Sequence, residues 1–278
     1  MKRIAVLMTC YNRVDTTLEC LQRLFNQEMP EGYSFDVWLV DDASPDKTGE
    51  TVKAAYPQVN VIQGTGKLFW CKGMRLAWDK AAEAYDYDFY LWLNDDVMLI
   101  DGAVASVIKD VNTIIADNEI GIVVGTCCSD GVGKKLSYGC RGDDGTIVSP
   151  VGSPLKVHSE AMSGNFVMIP KHVYEVVGPI YDGYSHAFGD RDYSIMLKRV
   201  GGSKYISSRM IGICPQEPER YFHLDGLSLF KRISLLYSPK GFPLKDTFIL
   251  RYRQKNLVRA WVSCLHVIWR VIFAYKGF

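Results

Sequence analysis

Apolar and polar residues alternate in blocks over the first hundred residues. Four short apolar runs have the length of buried strands, and they cover residues 3–8, 35–40, 59–63 and 89–93. Helical patterns lie between these runs, and in the first of them Leu18, Leu21 and Leu24 share one face. Strands that alternate with helices favour a parallel sheet with right-handed crossovers. The pattern therefore predicts an α/β fold.

The last of these runs ends abruptly in Asn94, Asp95 and Asp96. Two carboxylates at the end of a buried strand cost free energy unless something is paired with them. In an open α/β sheet, ligands bind beyond the carboxyl ends of the strands. Two interpretations follow: the acids meet a divalent cation that carries phosphates, or they form a turn through local hydrogen bonds. The second run also ends in two acids, Asp41 and Asp42, which favours a single polar site at the edge of the sheet.

A third polar junction follows the first apolar run and carries Thr9, Asn12 and Arg13. Because free N–H groups at a helix N-terminus attract anions, this junction is a natural nucleotide site, and a plain capping turn is the alternative. The chain has neither a P-loop nor a G-x-G-x-x-G motif after its first strand, so a dinucleotide site of the Rossmann type is not expected. The glycines of segment 131–134 are interpreted as a hairpin turn.

The middle of the chain predicts a further series of elements: a helix over 102–116, a strand at 120–124, β-hairpins over 126–155, a strand that ends at Pro170 and a helix over 171–177. The segment 186–193 then leads into a helix that Gly201 stops. Asp190 and Asp192 lie at the start of that helix, where acids often serve as caps. Two acids that follow a histidine and a flexible glycine favour a functional role instead.

Residues 215–245 are rich in proline and basic side chains, and we expect a loop there. The tail, residues 256–278, is aromatic and has a helical pattern with Arg259, His266 and Arg270 on one face. This pattern fits a helix that lies in a membrane interface. It fits equally a helix that packs on the domain with a solvated stripe.

Composition narrows the setting of the chain. Its 278 residues carry a formal net charge of +1, so no global field steers it to nucleic acid. The eight cysteines form no C-x-x-C pair, which argues against a zinc knuckle and a thioredoxin-like site. The N-terminal apolar run is too short for a signal peptide, and no stretch of about 18 residues is apolar enough to span a membrane. We therefore expect a cytoplasmic chain with reduced thiols and no nucleic-acid partner.

Four motifs follow one another along the chain: Thr9-Cys10-Tyr11-Asn12-Arg13, Asp41-Asp42-Ala43-Ser44, Asn94-Asp95-Asp96 and Gly189-Asp190-Arg191-Asp192. As an ordered set they resemble the motifs of the family-2 glycosyltransferases, which have the GT-A fold. The resemblance covers residues 3–215. The segments 68–78 and 186–193 are similar to a bacterial subgroup that builds surface polysaccharides such as O-antigen and capsule.

The resemblance implies an α/β fold of the GT-A type, with a Rossmann-like, mixed and mostly parallel sheet flanked by helices. The catalytic domain would cover 1–215, with a nucleotide-sugar half at about 1–125 and an acceptor half at about 126–215. Residues 216–278 would form a basic, aromatic loop and a C-terminal helical extension.

The reaction implied is an inverting transfer of a sugar from a UDP- or dTDP-sugar to an oligosaccharide acceptor, free or lipid-linked. Asp190 takes the place of the catalytic base. Asp96 is the first candidate ligand for Mg²⁺ or Mn²⁺; His223 is a second candidate, although a lone histidine is more often structural. The resemblance implies further site residues: for the nucleotide sugar Thr9, Tyr11, Arg13, Asp41, Lys67, Trp70, Arg75 and Asp95, and for the acceptor His186, Asp192 and Asn165.

Two positions depart from the family pattern. Asn94 stands where the first acid of the metal-binding D-x-D motif is expected, and Gly189 stands in place of the glutamate of the E-D-x-D motif. Two other classes of protein remain open: a sugar-phosphate nucleotidyltransferase and a non-catalytic sugar-binding protein. We expect the chain to act in the cytoplasm, either free or peripheral on the inner face of the plasma membrane through its C-terminal helix.

Overall fold

The computed structural model describes residues 1–117, 119–131, 133, 135–215, 224 and 226–273. The strands in this part of the chain are β1 (Lys2–Cys10), β2 (Tyr33–Asp41), β3 (Asn60–Gln63), β4 (Phe89–Leu93), β5 (Met98–Leu99), β6 (Gly121–Cys128), β7 (Leu136–Tyr138), β8 (Leu155–Val157), β9 (Phe166–Pro170) and β10 (Ser203–Ile213). The helices are α1 (Val14–Phe25), α2 (Thr48–Ala55), α3 (Phe69–Ala84), α4 (Ala103–Ala116), α5 (Lys171–Val177), α6 (Gly189–Arg199), α7 (Leu229–Leu235), α8 (Leu244–Gln254) and α9 (Leu257–Phe273). The alternation predicted for the first hundred residues is confirmed.

These strands form one mixed sheet in the order β3-β2-β1-β4-β9-β6-β10-β5, with β7 on β6 and β8 on β10. β1 pairs in parallel with β2 and β4, and β2 pairs in parallel with β3. β9 runs antiparallel between β4 and β6, so Phe166 at its start lies opposite Leu93 at the end of β4. The start of β9 therefore meets the ends of β1, β2 and β4 at one edge. The predicted mixed, mostly parallel sheet flanked by helices is confirmed.

Strand β4 is covered on both faces. Leu91 and Leu93 belong to the core that α1 and α4 complete, whereas Tyr90 and Trp92 belong to the core on the α3 and α6 side. Trp92 contacts the rings of two helical residues there, Trp78 and Tyr193, at centroid distances of 5.8 and 5.1 Å. Because alternate residues of a strand face opposite sides, a strand buried on both sides must be apolar throughout. This explains the uninterrupted apolar run before Asn94.

The C-terminal part contains more helix than the sequence predicts. The loop expected over 215–245 is wrong in two places, since α7 lies inside it and α8 begins at Leu244. Its prolines do not interrupt helices, because Pro243 immediately precedes α8, where a missing N–H costs little. The tail helix is confirmed as α9, while His223 and residues 274–278 lie outside the described residues. No helix in the described part is long and apolar enough to cross a bilayer.

Strand β10 is a further element that sequence reasoning missed. Its pairing with β6 shifts register between Ile206 and Met210. Such a shift interrupts the alternation of apolar and polar residues by which a strand is found. β10 matters for the site because its last residue is followed by Cys214, which lies at the same sheet edge as Asn94–Asp96. All eight cysteines are buried, and none is joined in a disulfide.

Candidate active site

The first two junctions pack against each other beyond the ends of β1 and β2. The Asn12 N–H donates to Ser44 Oγ at 3.0 Å, and the Val14 N–H donates to Asp46 Oδ2 at 3.0 Å. Although burial opposes ionisation, hydrogen bonds from Thr48 and Val14 lower the pKa of Asp46. The first N–H of α1, that of Val14, is therefore not free for an anion, because the β2–α2 loop caps it; at this group the alternative of a capping turn holds.

The two acids that end β2 hold backbone N–H groups of neighbouring loops. Asp41 accepts the N–H of Ser44 at 3.1 Å and that of Gly49 at 3.2 Å. Asp42 accepts three N–H groups, from Gly66 at 2.7 Å, Leu68 at 2.9 Å and Phe69 at 3.0 Å. Asp42 thereby fixes the loop that brings α3 to the site. Sequence reasoning singled out only Asp41 of this pair as a site residue.

The second pair of acids, Asp95 and Asp96, shares the guanidinium of Arg13. Arg13 Nη1 lies 2.9 Å from Asp96 Oδ2 and 3.4 Å from Asp95 Oδ1. Asp95 also accepts a hydrogen bond from the Thr17 hydroxyl at 3.3 Å, and Asp96 Oδ1 lies 3.6 Å from the sulfur of Cys214. The Asp95 side chain is 8% exposed and that of Asp96 is 31% exposed. Asp96 is therefore the member of the pair that a ligand can reach.

Burial and the neighbouring charge of Asp96 together raise the pKa of Asp95 to about 7, although Arg13 opposes the shift. The arrangement fits a hard divalent cation in its donor chemistry, because two carboxylates already converge on one positive group. Within the described residues no group of three or more His, Cys, Asp or Glu side chains is placed to hold a metal. A cation would therefore need phosphate oxygens and water beside Asp96, and the guanidinium of Arg13 would have to give way.

Asn94 connects the end of β4 to the residues around Asn165 and Trp70. Its backbone N–H donates to the carbonyl oxygen of Asn165 at 2.9 Å, and its side-chain oxygen accepts the indole N–H of Trp70 at 2.7 Å. The Trp70 ring in turn lies against Gly164, where an added Cβ would come within 2.5 Å of it. The amide at position 94 is thus a hydrogen-bond acceptor for Trp70 at the point where the family pattern has an acid.

Asp190 lies on the other side of Trp70. Its Oδ2 accepts the N–H of Gly164 at 3.2 Å, and its Oδ1 accepts the N–H of Arg191 at 2.7 Å. Burial raises the pKa of Asp190 even though these hydrogen bonds favour the charged form. A carboxylate in such a place holds a proton more tightly than an exposed one, which suits a general base.

The departure at Gly189 has a packing reason. A Cβ atom at this position would lie 2.7 Å from the Cys71 sulfur and 3.3 Å from the side chain of Ile180. A glutamate would collide with these groups, so it cannot occupy this backbone position without a shift of α3 or of the 180 segment. The preceding residue, Phe188, has a φ of 72°, which a side-chain-bearing residue rarely adopts.

Left-handed backbone at residues other than glycine marks the loops around the site. Asn12, Ala43, Phe69 and Phe188 all have positive φ. They follow β1, follow β2, begin α3 and precede α6, in that order. Such conformations cost of order 1–3 kcal/mol each and concentrate at functional sites. Sequence reasoning could not find them, because none of the four is a glycine.

Helix α8 holds the segment that carries Asp190. Asp246 is buried and accepts the N–H of Ser185 at 3.1 Å, just before the α6 junction. Burial raises the pKa of Asp246, whereas bonds from the backbone of this segment lower it. Arg253 Nε lies 3.0 and 3.1 Å from the two oxygens of Asp192, which is 2% exposed. The acceptor role expected for Asp192 is not supported by these contacts, since its carboxylate is paired with Arg253 inside the protein.

The remaining predicted residues differ in how close they lie to the acids. Tyr11 and Lys67 are exposed on the loops that follow β1 and β3. Thr9 packs on Gly73, where an added Cβ would collide with its hydroxyl. Arg75 donates to Asp79 at 2.8 Å and to the Ile180 carbonyl at 3.1 Å, so its guanidinium is already engaged.

The acceptor candidates His186 and Asn165 lie near Asp190 along the chain and through Gly164, respectively. The carbonyl of His186 accepts the Cys71 thiol at 3.3 Å, and its ring lies 6.3 Å from that of Phe69. Asn165 follows Gly164 in the chain, and its side-chain nitrogen lies 3.6 Å from the sulfur of Cys214. Asn165 is buried, whereas His186 is half-buried.

Comparison with known sequences assigns the chain to a family. The chain matches the sequence model of Glycosyl transferase family 2 over residues 5–150, more than half of its length. The protein therefore belongs to glycosyl transferase family 2, and the predicted class of enzyme, a glycosyltransferase, is confirmed. A comparison with curated protein sequences found no match.

Solved glycosyltransferase structures share the fold. S. aureus TarS 1–349 in complex with UDP-GlcNAc is 14% identical with a TM-score of 0.55, over 98% of this chain and 82% of that chain. The mannosyltransferase PcManGT from Pyrobaculum calidifontis, in complex with GDP-Man and Mn²⁺, is 16% identical with a TM-score of 0.53, over 99% and 76%. GalNAc-T7 with UDP, GalNAc and Mn²⁺ is 12% identical with a TM-score of 0.57, over 93% and 51%. These similarities confirm the predicted GT-A-type fold.

Proposed function

We propose that this protein is an inverting glycosyltransferase that moves a sugar from a UDP- or dTDP-sugar to an oligosaccharide acceptor during assembly of a bacterial surface polysaccharide. The observation that carries the proposal is the presence of two unlike acidic centres at one sheet edge. Asp95 and Asp96 share the guanidinium of Arg13, whereas Asp190 is a carboxylate with a raised pKa. A leaving diphosphate requires the first kind of centre, and an attacking hydroxyl requires the second.

Asp190 is the proposed catalytic base. It would take the proton from an acceptor hydroxyl while that oxygen forms a bond to the anomeric carbon. The bond from the anomeric carbon to the diphosphate would break on the opposite side, so the configuration inverts. The two hydrogen bonds to Asp190 come from backbone N–H groups, and a carboxylate has lone pairs beyond these to accept a proton. General-base catalysis of this kind contributes on the order of 10²–10⁴ in rate.

The donor's diphosphate would lie beside Arg13 and Asp96. We propose that Arg13 turns from the acid pair to the phosphates when the donor binds, which frees Asp96 to hold Mg²⁺ or Mn²⁺. Bound there, the cation would neutralise the charge that builds on the leaving diphosphate. Two neighbours of the same fold were solved with Mn²⁺ and a nucleotide or nucleotide sugar.

The other residues proposed to contact the donor differ in how well their present contacts fit that role. Trp70 is well placed, because its indole bonds Asn94 and its ring lies near Asp190 through Gly164. Tyr11 and Lys67 are exposed and within reach of solvent-borne ligand. Thr9, Asp41 and Asp95 already serve the local structure and would contact the nucleotide from those positions. Arg75 has the least support, because it would first have to leave Asp79.

For the acceptor, we propose contacts from His186 and Asn165, which border the segment that bears Asp190. Asp192 would act by fixing the position of α6, through its ion pair with Arg253. The assignment to surface-polysaccharide assembly depends on the resemblance of segments 68–78 and 186–193. We place the reaction in the cytoplasm, and keep residues 1–215 as the catalytic domain with 216–278 as its extension.

Product analysis tests the proposed reaction. The protein is incubated with a panel of nucleotide sugars, Mn²⁺ and saccharide acceptors, and we expect a nucleoside diphosphate and a glycoside of inverted configuration by NMR. Release of pyrophosphate would instead identify a sugar-phosphate nucleotidyltransferase. A nucleotide sugar that raises the melting temperature but is never consumed would identify a sugar-binding protein.

A further inference from the structure

The three C-terminal helices carry an unusual share of exposed apolar side chains. Of the twenty large apolar side chains exposed in the described part of the chain, twelve lie between residues 229 and 273. They are Leu229, Phe230, Ile233, Tyr237, Tyr252, Leu257, Val258, Trp261, Val262, Leu265, Trp269 and Phe273. We call them the C-terminal apolar surface. Exposed apolar patches of this kind mark sites of interaction.

Helix α9 is apolar on two opposite sides. Its inner side packs on the protein through Ala260, Cys264 and Val271, which are buried. Its outer side presents Trp261 and Leu265, which are 58% and 63% exposed, among other residues spaced three or four apart. The outer side is therefore not needed for packing on the domain.

Helices α7 and α8 extend this surface. The Phe248 ring of α8 lies 5.2 Å from that of Trp261 and 6.3 Å from that of Tyr252. Helix α7 is tied to α9 by Arg232, which donates to the Ile272 carbonyl at 3.0 Å. Phe230 of α7 is 88% exposed. The aromatic residues thus belong to three connected helices.

The charge of this region is one-sided. Residues 226–273 contain nine lysines and arginines and a single acid, Asp246, although the whole chain has a net charge of only +1. Asp246 is buried, so it does not offset the basic surface. The exposed cations in this region are Lys231, Lys240, Lys245, Lys255 and Arg259. A partner of complementary charge would be anionic.

We propose that the C-terminal apolar surface docks on an anionic phospholipid bilayer and lies in its interface. Exposed tryptophan and tyrosine with flanking lysine and arginine is the composition of helices that bind at this depth. Lysines and arginines near the surface add attraction to anionic headgroups. A second copy of the chain fits less well, because a two-fold contact would place these cations opposite one another. This inference goes beyond the proposed sugar transfer, which a dissolved acceptor would also permit.

Co-sedimentation of the full chain with vesicles tests the proposal. We expect binding to vesicles of phosphatidylglycerol mixed with phosphatidylcholine, weaker binding at high salt, and little binding to phosphatidylcholine alone. The double variant Trp261→Ser, Trp269→Ser should bind at least about tenfold less, equivalent to ~1.4 kcal/mol. Lys255→Gln with Arg259→Gln should weaken binding to the anionic vesicles only.

Matched controls separate docking from other effects. Val151→Ser with Val176→Ser removes exposed apolar side chains elsewhere and should bind vesicles like the wild type. Quenching of wild-type tryptophan fluorescence by brominated lipid, reduced in Trp261→Phe with Trp269→Phe, gives a readout that needs no loss of binding. Absence of wild-type binding to anionic vesicles would overturn the proposal. A concentration-dependent dimer that the double serine variant abolishes, without vesicle binding, would assign the surface to self-association instead.

The same experiments distinguish this inference from the proposed function. Release of nucleoside diphosphate with a dissolved acceptor should be unchanged in the vesicle-binding variants, because none of the substituted residues lies in the candidate site. If transfer fails but vesicle binding holds, the proposed reaction is wrong and the docking surface stands. If vesicle binding fails but transfer holds, the opposite conclusion follows.

Discussion

The two acidic centres of the site balance their charge in different ways. At Asp95 and Asp96 the balance comes from a side chain, the guanidinium of Arg13. At Asp190 it comes from the backbone N–H groups of Gly164 and Arg191. A side-chain cation can be exchanged for another cation, whereas backbone donors stay where the fold places them. The first centre is therefore suited to binding a charged ligand, and the second to holding one carboxylate in a constant position.

The largest effect is expected when the charge of Asp190 is removed. Asp190→Asn should lower kcat by roughly 10²–10⁴ because the acceptor hydroxyl loses its base. Donor binding measured by calorimetry should change little, since the described hydrogen bonds of Asp190 come from Gly164 and Arg191, whereas Arg13 is paired with Asp96. Asp182→Asn, an exposed acid nearby, is the control and should keep wild-type turnover. Wild-type turnover in Asp190→Asn would show that the base lies elsewhere.

Removing Asp96 tests the exchangeable centre. Asp96→Ala should weaken nucleotide binding in the presence of Mn²⁺ by about tenfold or more, equivalent to ~1.4 kcal/mol. Titration with and without Mn²⁺ measures the effect, and the variant should no longer respond to the metal. Asp101→Ala changes an exposed acid a few residues on and serves as the control. Unchanged metal-dependent affinity in Asp96→Ala would show that Asp96 does not hold the metal.

Removing the charge of Arg13 should strengthen the binding of Mn²⁺ and weaken the binding of the nucleotide diphosphate. In Arg13→Gln the acids lose their resident cation, so Mn²⁺ should bind the nucleotide-free protein severalfold more tightly by Coulomb attraction. The nucleotide diphosphate should bind more weakly, since its phosphates lose a positive partner. Arg23→Gln alters a half-buried arginine of α1, the helix that follows Arg13; Glu19 is its partner among the described ion pairs, and the change should alter neither affinity. Parallel losses of both ligands would contradict the exchange.

The position of Asp190 depends on α8, because Arg253 of α8 pairs with Asp192 of α6. Substitutions in this ion pair test that dependence. Arg253→Ala leaves a buried carboxylate without its cation and should lower the free energy of unfolding by about 1–3 kcal/mol. Adding Asp192→Asn should recover part of that loss, because the unpaired charge is then gone. The single variant should lower kcat more than it raises the donor KM, since it moves α6 and not Arg13. Additive effects in the double-mutant cycle would show that the pair is not coupled.

The smallest expected effect lies in the pH dependence of turnover. As the proposed base, Asp190 must be ionised to act, so kcat should rise with pH as this carboxyl loses its proton. Burial raises its pKa, and therefore activity should be lost on acidification at a higher pH than the ~3.9 of an exposed aspartate implies. A pH–rate profile measures this limb. Its midpoint at the ordinary value would mean that solvent or substrate, and not burial, sets the proton affinity of the base.

Much of the candidate site could be predicted from the sequence, because the ends of buried strands can be recognised there. Asp41, Asp95 and Asp96 follow apolar runs directly, so their position at the sheet edge could be predicted from the pattern. The role of Asp42 could not, because nothing in its local sequence indicates that it accepts three N–H groups from residues 66–69. The burial of Asp192 was missed for the same reason. Its partner Arg253 is sixty-one residues away in α8, a helix that the sequence analysis did not predict.

The sequence by itself determined the layered α/β architecture, the polar residues at three strand ends and the family, because these depend on local periodicity and on motif order. The tertiary structure alone decided which acid is paired with which cation, why Gly189 replaces a glutamate beside Cys71, and which side of α9 faces away from the protein. Those facts depend on contacts between residues far apart in the chain. Their energies arise from burial and close packing, which no local pattern of residues contains.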